Sequence, residues 1–452
     1  MSFRPSSRRT SASSRAALAA LFVAAPTGFA ADRPDDVWVI RCGRIETGTG
    51  EVIERGAILV EHGVIKAVGL DIEAPLGARE IDARRFTVVP GFVHPTSGIG
   101  QDRQRSSGNQ AEQRAHDSFY PYDEAFQDAL EQGFTTLALQ PASQGWLGIA
   151  GLSSVVQPTG GDGKKAAGAA VIEKDVQLVF TMNSSQQDKD LLRKGFEKVE
   201  EAVAKYDEAV KKWEEKQKKA KEKKEEPKKE EPKKEEEKKE GEAPKEEAKK
   251  EEPKKEEPKK EEVFEAPKVD DKTSTLWGWV KGSYPALVRM SRAADYLHWL
   301  EVVKERKLRV AFELESSDSY LVADRFGKAG ALVLLDPQVV TYPLTSERLN
   351  LPAFFERAGA KVGFTASRRF EDHRHRVAQV VKAGFPREKA IAAMTSVPAA
   401  ALGIDDRYGS IQPGRFADLV FFDGDPFEIG SKVSSVMIRG QMKFESEKEA
   451  QR

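Results

Sequence analysis

The chain is poor in cysteine and histidine. Among its 452 residues there is one cysteine, Cys42, and six histidines. A lone cysteine excludes an intramolecular disulfide and any zinc or iron–sulfur site built from several thiolates. No apolar run reaches the roughly 20 residues a membrane-spanning helix needs. Neither sign of charge is in excess, since 72 Lys and Arg face 73 Asp and Glu. That balance argues against a nucleic-acid binder, which needs a positive surplus to displace counterions.

The charge is concentrated in one place. Residues 214–262 hold 19 Lys and 20 Glu, and outside them 106 charged residues remain among 403. That remainder is about 26%, an ordinary globular value. Within the tract the unit Glu-Glu-Pro-Lys-Lys recurs at 225–229, 230–234 and 251–255. Proline every five residues stops a helix, and nothing apolar is there to bury. Residues 214–272 are therefore expected to form a disordered, solvated spacer. Just upstream, Leu192, Phe196, Val199, Val203, Tyr206, Val210 and Trp213 recur at spacings of four and three. This heptad stripe predicts a helix over 186–213 with one apolar edge. Two readings stay open: packing on the chain's own domain, or an edge for a protein partner or self-association.

At the N-terminus Arg4, Arg8, Arg9 and Arg15 precede a small, apolar run over 16–25 and small residues to Ala31. This reads as a signal peptide over 1–31, hence a periplasmic or secreted protein. Residues 32–89 and 405–445 carry short apolar runs punctuated by glycine, the pattern of strands and turns. Between them strand and helix signals alternate over 90–185 and 273–404, which predicts a parallel α/β sheet or barrel.

Several runs carry more information. Val88-Val89-Pro90-Gly91-Phe92-Val93 follows the first β-rich segment. Thr395-Ser396-Val397-Pro398-Ala399 leads to Leu402-Gly403, and Gly409-Ser410-Ile411-Gln412-Pro413-Gly414 leads to Ala417-Asp418-Leu419-Val420. With these the chain resembles the amidohydrolase superfamily, and within it the branch related to imidazolonepropionase. The resemblance implies an α/β fold: a TIM-like (β/α)8 barrel, plus a small β-sandwich formed by both chain ends, with the long helix and charged tract inserted. It also implies one or two divalent metals that activate a water molecule, held by imidazoles and carboxylates at the strand ends.

The implied ligand positions are substituted. Where the resemblance calls for Pro-Gly-x-x-Asp-x-His-x-His, the aspartate position is His94, and Thr96 and Gly98 replace the two histidines. Further on, Arg289 stands at another histidine position, Glu313 ends the next strand without a histidine, and Ser367 and its neighbours Arg368 and Arg369 stand where a catalytic aspartate is implied. Hydroxyl, hydrogen and guanidinium groups cannot replace imidazoles on a metal. Of the other histidines, His62 falls in a turn, His298 reads as a packed core residue, and His373 and His375 read as solvated helix positions.

The favoured expectation is a catalytically silent homologue, with a vestigial pocket of His94, Thr96, Gly98, Arg289, Glu313 and Ser367 and no cofactor, acting as a binding or partner subunit. The alternative is an active hydrolase of non-peptide carbon–nitrogen bonds, with His94, Glu313 and Asp336 around one weakly held zinc ion.

Overall fold

The computed structural model describes residues 37–101, 108–141, 148–160, 168–225, 264–315, 317–342, 344–367 and 369–446. The expected signal peptide, residues 226–263 of the charged tract, and Arg368 lie outside the described residues.

Apolar residues alternating with polar ones, closed by glycine turns, build the first sheet from β1 (Val37–Glu46), β2 (Val52–Glu54), β3 (Ala57–Glu61), β4 (Val64–Gly69) and β5 (Arg79–Pro90). The chain then enters the barrel through β6 (Phe92–Ser97). The short β7 (Gly108–Asn109), α1 (Ala125–Glu131), β8 (Phe134–Leu139), β9 (Gly148–Gly160) and β10 (Gly168–Met182) follow. Next come α2 (Gln186–Glu225), α3 (Asp271–Val280), β11 (Ala286–Met290), α4 (Ala293–Val303), β12 (Val310–Leu314), α5 (Ala323–Lys328) and β13 (Leu332–Leu335). A small hairpin, β14 (Val339–Thr341) and β15 (Arg348–Asn350), precedes α6 (Leu351–Ala358), β16 (Lys361–Phe364), α7 (Phe370–Lys382), α8 (Arg387–Met394) and α9 (Ser396–Leu402). The chain returns to the first sheet with β17 (Leu419–Phe422), β18 (Val433–Ile438) and β19 (Gln441–Glu445).

Both chain ends share that first sheet, as the composite domain requires. β17 pairs antiparallel with β5, aligning Leu419 with Pro90 and Phe421 with Val88. Ile40, Ile58, Val88, Leu419, Phe421 and Met437 meet in one buried cluster, so the strands from the two ends depend on each other.

The second sheet runs β16-β13-β12-β11-β10-β9-β8-β6 and nearly closes. Seven of its nine strands point one way, and the short β7 pairs parallel with β9 off this path. β9 alone is antiparallel to both neighbours, so β9 and β10 form a hairpin inside an otherwise parallel barrel. The helix α9 packs against the two end strands. Gly363 of β16 makes room for it, since a Cβ there would lie 2.8 Å from Leu334 Cδ2 and 3.1 Å from Val397 Cγ1.

The heptad stripe is packed on the chain's own barrel. Leu192, Phe196 and Val199 are buried, and the Phe196 ring lies 5.8 Å from that of fully buried Trp279. Val203 packs partly buried against the same core. Further along, Tyr206 meets Trp277 and Phe264 edge-on, and Trp213 meets Phe264. The helix also runs to Glu225, past the expected end at 213, and residues 271–272 belong to α3 rather than to a spacer. The reason is local. Residues 214–225 are Glu, Lys, Gln and Ala, all good helix formers, and the first proline of the tract is Pro227.

Candidate functional site at the barrel mouth

The strand register decides which side chains face the barrel interior. Leu287, Ala311 and Leu334, on β11, β12 and β13, share a cluster with Val179, Ala150 and Ala401 of α9. Residues one step along, such as Val288 and Phe312, instead join the outer helices. Arg289 and Glu313 lie two residues beyond Leu287 and Ala311 and are themselves register partners, so both project inward at the strand ends.

There they form a brace. Arg289 Nε donates to Glu313 Oε2 at 2.7 Å, and Arg289 Nη2 donates to Gln140 Oε1 at 3.1 Å. Gln140, just after β8, turns its Nε2 donor to the Pro95 carbonyl at 3.1 Å. The chain of bonds therefore links the ends of β6, β8, β11 and β12. The ion pair is largely covered, with side-chain exposures of 17% and 14%. Beside it, burial raises the Glu315 carboxyl above its usual range. Glu313 adds to that shift and Arg289 opposes it. Sequence reasoning missed Gln140 and Glu315. Their one signal was position, directly after the end of a barrel strand.

His94 does not face this mouth. Its neighbour Val93 clusters with Ala138 and Leu402, whereas the His94 ring packs 6.2 Å from Phe134 and 6.0 Å from Phe370 of α7. His94 is 4% exposed, and burial drives its imidazole down to about 3. Its Nδ1 accepts the Thr96 N–H at 3.5 Å; Thr96 is half-buried and Gly98 buried.

His373, expected in solvent, belongs to the same buried cluster. Phe370, His373 and Val377, at spacings of three and four, fall on one buried face of α7. The His373 ring lies 5.3 Å from Phe134, and its buried Nδ1 has no hydrogen-bond partner. Burial again lowers its pKa to about 3, with His94 and Arg376 adding. His375 is half-buried. His298, expected in the core, is instead part of a surface network, 3.4 Å from Lys189 Nζ and 3.6 Å from Glu301. His62 occupies the β3–β4 turn with φ of 51°, as its position suggested.

The remaining candidates stay apart. Asp336 pairs with Arg376 at 2.6 Å, and Ser367 is exposed, its hydroxyl donating to the Arg369 carbonyl at 3.4 Å. His94, Glu313 and Asp336 thus point to three different partners. The vestigial pocket is brought together only in two separate pairs, Arg289 with Glu313 and His94 with Thr96.

This donor set does not fit a divalent metal. Among the described residues no group of three or more His, Cys, Asp or Glu side chains is placed to share an ion. A doubly charged cation about 4 Å from a guanidinium is repelled by roughly 8 kcal/mol at an effective dielectric near 20, which cancels the pull of an equally distant carboxylate. Gln140 and backbone carbonyls alone make a poor zinc site.

Comparison with known proteins agrees with the fold. The sequence pattern described as the amidohydrolase family matches residues 303–443. A 62-residue stretch is 39% identical to Amidohydrolase tasK of Hapsidospora irregularis, which amounts to 14% of this chain and 6% of that much longer protein. The crystal structure of an amidohydrolase from Thermotoga maritima MSB8 superposes with a TM-score of 0.66 at 20% identity, covering 90% of this chain and all of that one. Residues 303–443 thus match the amidohydrolase family pattern, and the barrel has the fold of that solved structure.

Proposed function

We propose that this chain uses the amidohydrolase barrel as a binding or partner subunit and does not hydrolyse bonds through a metal-activated water. Within the superfamily its closest affinity is with the imidazolonepropionase-related branch, on the motifs around Pro90, Pro398 and Gly409. It acts outside the cytoplasm after loss of residues 1–31.

One observation supports this reading above the others. The inward-facing strand ends are spanned by Arg289, held between Glu313 and Gln140. A hydrolytic mouth needs an open coordination position, a bound water and a carboxylate free to take its proton. Here the inward carboxylate is committed to a guanidinium, and the histidine at β6 faces the helix layer.

The test is an activity screen of the full chain with added zinc or manganese. It would use hydantoin, dihydroorotate and N-acetyl amino acids as carbon–nitrogen substrates. No turnover above buffer is expected. Turnover that chelator abolishes and metal restores would overturn the proposal.

A further inference from the structure

A cavity that shares no lining residue with the barrel mouth lies between α2, α3 and the start of β11. Its volume is about 660 Å³, within the range of small-molecule sites. Its walls are aromatic. Tyr206 comes from α2, Trp277 from α3, and Tyr284 from the turn before β11.

The cavity is built from fixed parts. Tyr284 donates its hydroxyl to the Thr275 carbonyl at 2.5 Å, and it can lie that close to α3 because residue 278 is glycine; a Cβ there would lie 2.5 Å from the Tyr284 oxygen. Tyr206 holds Trp277 edge-on with ring centres 5.5 Å apart. Both rings stay only partly buried.

The charges fall into committed and uncommitted groups. Arg114 is used up: it donates to the Ala111 and Gln113 carbonyls and the Thr275 hydroxyl, and pairs with Asp175 at 3.3 Å. Asp175 is thereby ion-paired, although its Oδ1 has no hydrogen-bond partner. Lys281 makes no ion pair among the described residues. Its exposed ammonium lies over the Trp277 ring at 6.0 Å from the ring centre, a cation–π contact that leaves its hydrogen-bond donors open to an anion. The exposed hydroxyls of Ser274 and Ser283 add free donors and acceptors. The lining therefore carries one surplus positive charge beside flat aromatic surface.

We propose that this cavity binds a small ring compound bearing one carboxylate. The ring lies against Trp277 and Tyr206, and the carboxylate meets Lys281. Aromatic faces accept either the flat face of an aromatic ring or the C–H face of a sugar. Two sources thus share the chemistry, an aromatic acid and an acidic sugar.

Isothermal titration of the full chain with benzoate and, separately, with glucuronate tests the proposal. Saturable one-to-one binding of at least one probe is expected. Benzoate alone identifies the aromatic source, and glucuronate alone the sugar. Lys281→Met should weaken that binding by about tenfold or more. It should leave the melting temperature unchanged, because Lys281 is exposed. The double variant Arg289→Leu with Glu313→Leu, which strands no charge at the mouth, should leave the binding intact, which separates this site from the barrel mouth. Absence of saturation by both probes, or binding that Lys281→Met does not alter, would overturn the assignment.

Discussion

Removing Glu313 probes the brace directly. In the folded protein the Arg289 guanidinium keeps its bond to Gln140 but loses a carboxylate 2.7 Å away. At an effective dielectric near 20, unit charges about 4 Å apart attract by roughly 4 kcal/mol. Breaking a buried pair from one side costs about 3–5 kcal/mol, because the surviving charge is stranded. The two side chains retain 17% and 14% exposure, so the lower end applies, and Glu313→Ala should cost about 3 kcal/mol. Replacing both partners, Arg289→Leu with Glu313→Leu, strands no charge. It should cost about 1 kcal/mol, chiefly for the Gln140 oxygen left without a donor. Urea unfolding of the wild type, both single variants and the double variant forms a thermodynamic cycle with a coupling of a few kcal/mol. A cost for Glu313→Ala below about 0.5 kcal/mol, within the range of an ordinary surface change, would refute the brace.

Three other outcomes are expected. His94 and His373 are held neutral with pKa values pushed down to about 3, below the ordinary 6.5. The unfolded chain therefore binds more protons in that window, so stability is full above pH 6.5 and falls as pH drops toward 3. Asp418 runs the other way: burial raises it from 3.8 to about 6, so its contribution is lost as pH rises across that interval. Two histidines outweigh one aspartate, and His373→Leu should flatten the stability slope between pH 5 and 6; an unchanged slope would exclude the pair as its source. Phe196→Ala should cost about 3–5 kcal/mol by urea unfolding, with the oligomeric state by light scattering unchanged, since its ring packs on Trp279 inside the chain. A change in oligomer size without loss of stability would instead support the docking reading of the heptad stripe. Gly327→Ala would place a Cβ 1.7 Å from the Ala358 carbonyl oxygen where α5 meets α6. Thermal melting should register a loss of about 1–3 kcal/mol, and a neutral result would mean the two helices are not in this contact.

The barrel and the composite sheet were legible because their signals are local and strong. Glycine-punctuated apolar runs mark the sheet, and alternating strand and helix patterns mark residues 286–394. The β9–β10 hairpin was not legible. Its strand Gly148–Gly160 opens Gly-Ile-Ala-Gly-Leu-Ser-Ser, where Gly, Ala and Ser carry little β-preference, and Gly151 lies where a Cβ would come within 2.4 Å of the Gln113 carbonyl oxygen. That the resemblance implies substitutions at residues 94, 96, 98 and 289 could be read from the sequence. The direction of His94 could not. A one-residue slip of strand register reverses every side chain, and β6 carries two register shifts against β8. The burial of His373 was hidden because the ring it packs against, Phe134, lies far away in sequence. The two-sided role of Arg289 depended on Gln140, which lies 149 positions away in sequence.

The most direct test of the braced mouth is the metal content of the full chain, purified without chelator and equilibrated with zinc, manganese and iron before desalting. Elemental analysis should find far less than one ion per chain, and chelator should leave the melting temperature unmoved. One or two tightly held ions per chain, whose removal lowers the melting temperature, would contradict an Arg289–Glu313 brace in the place of a metal site.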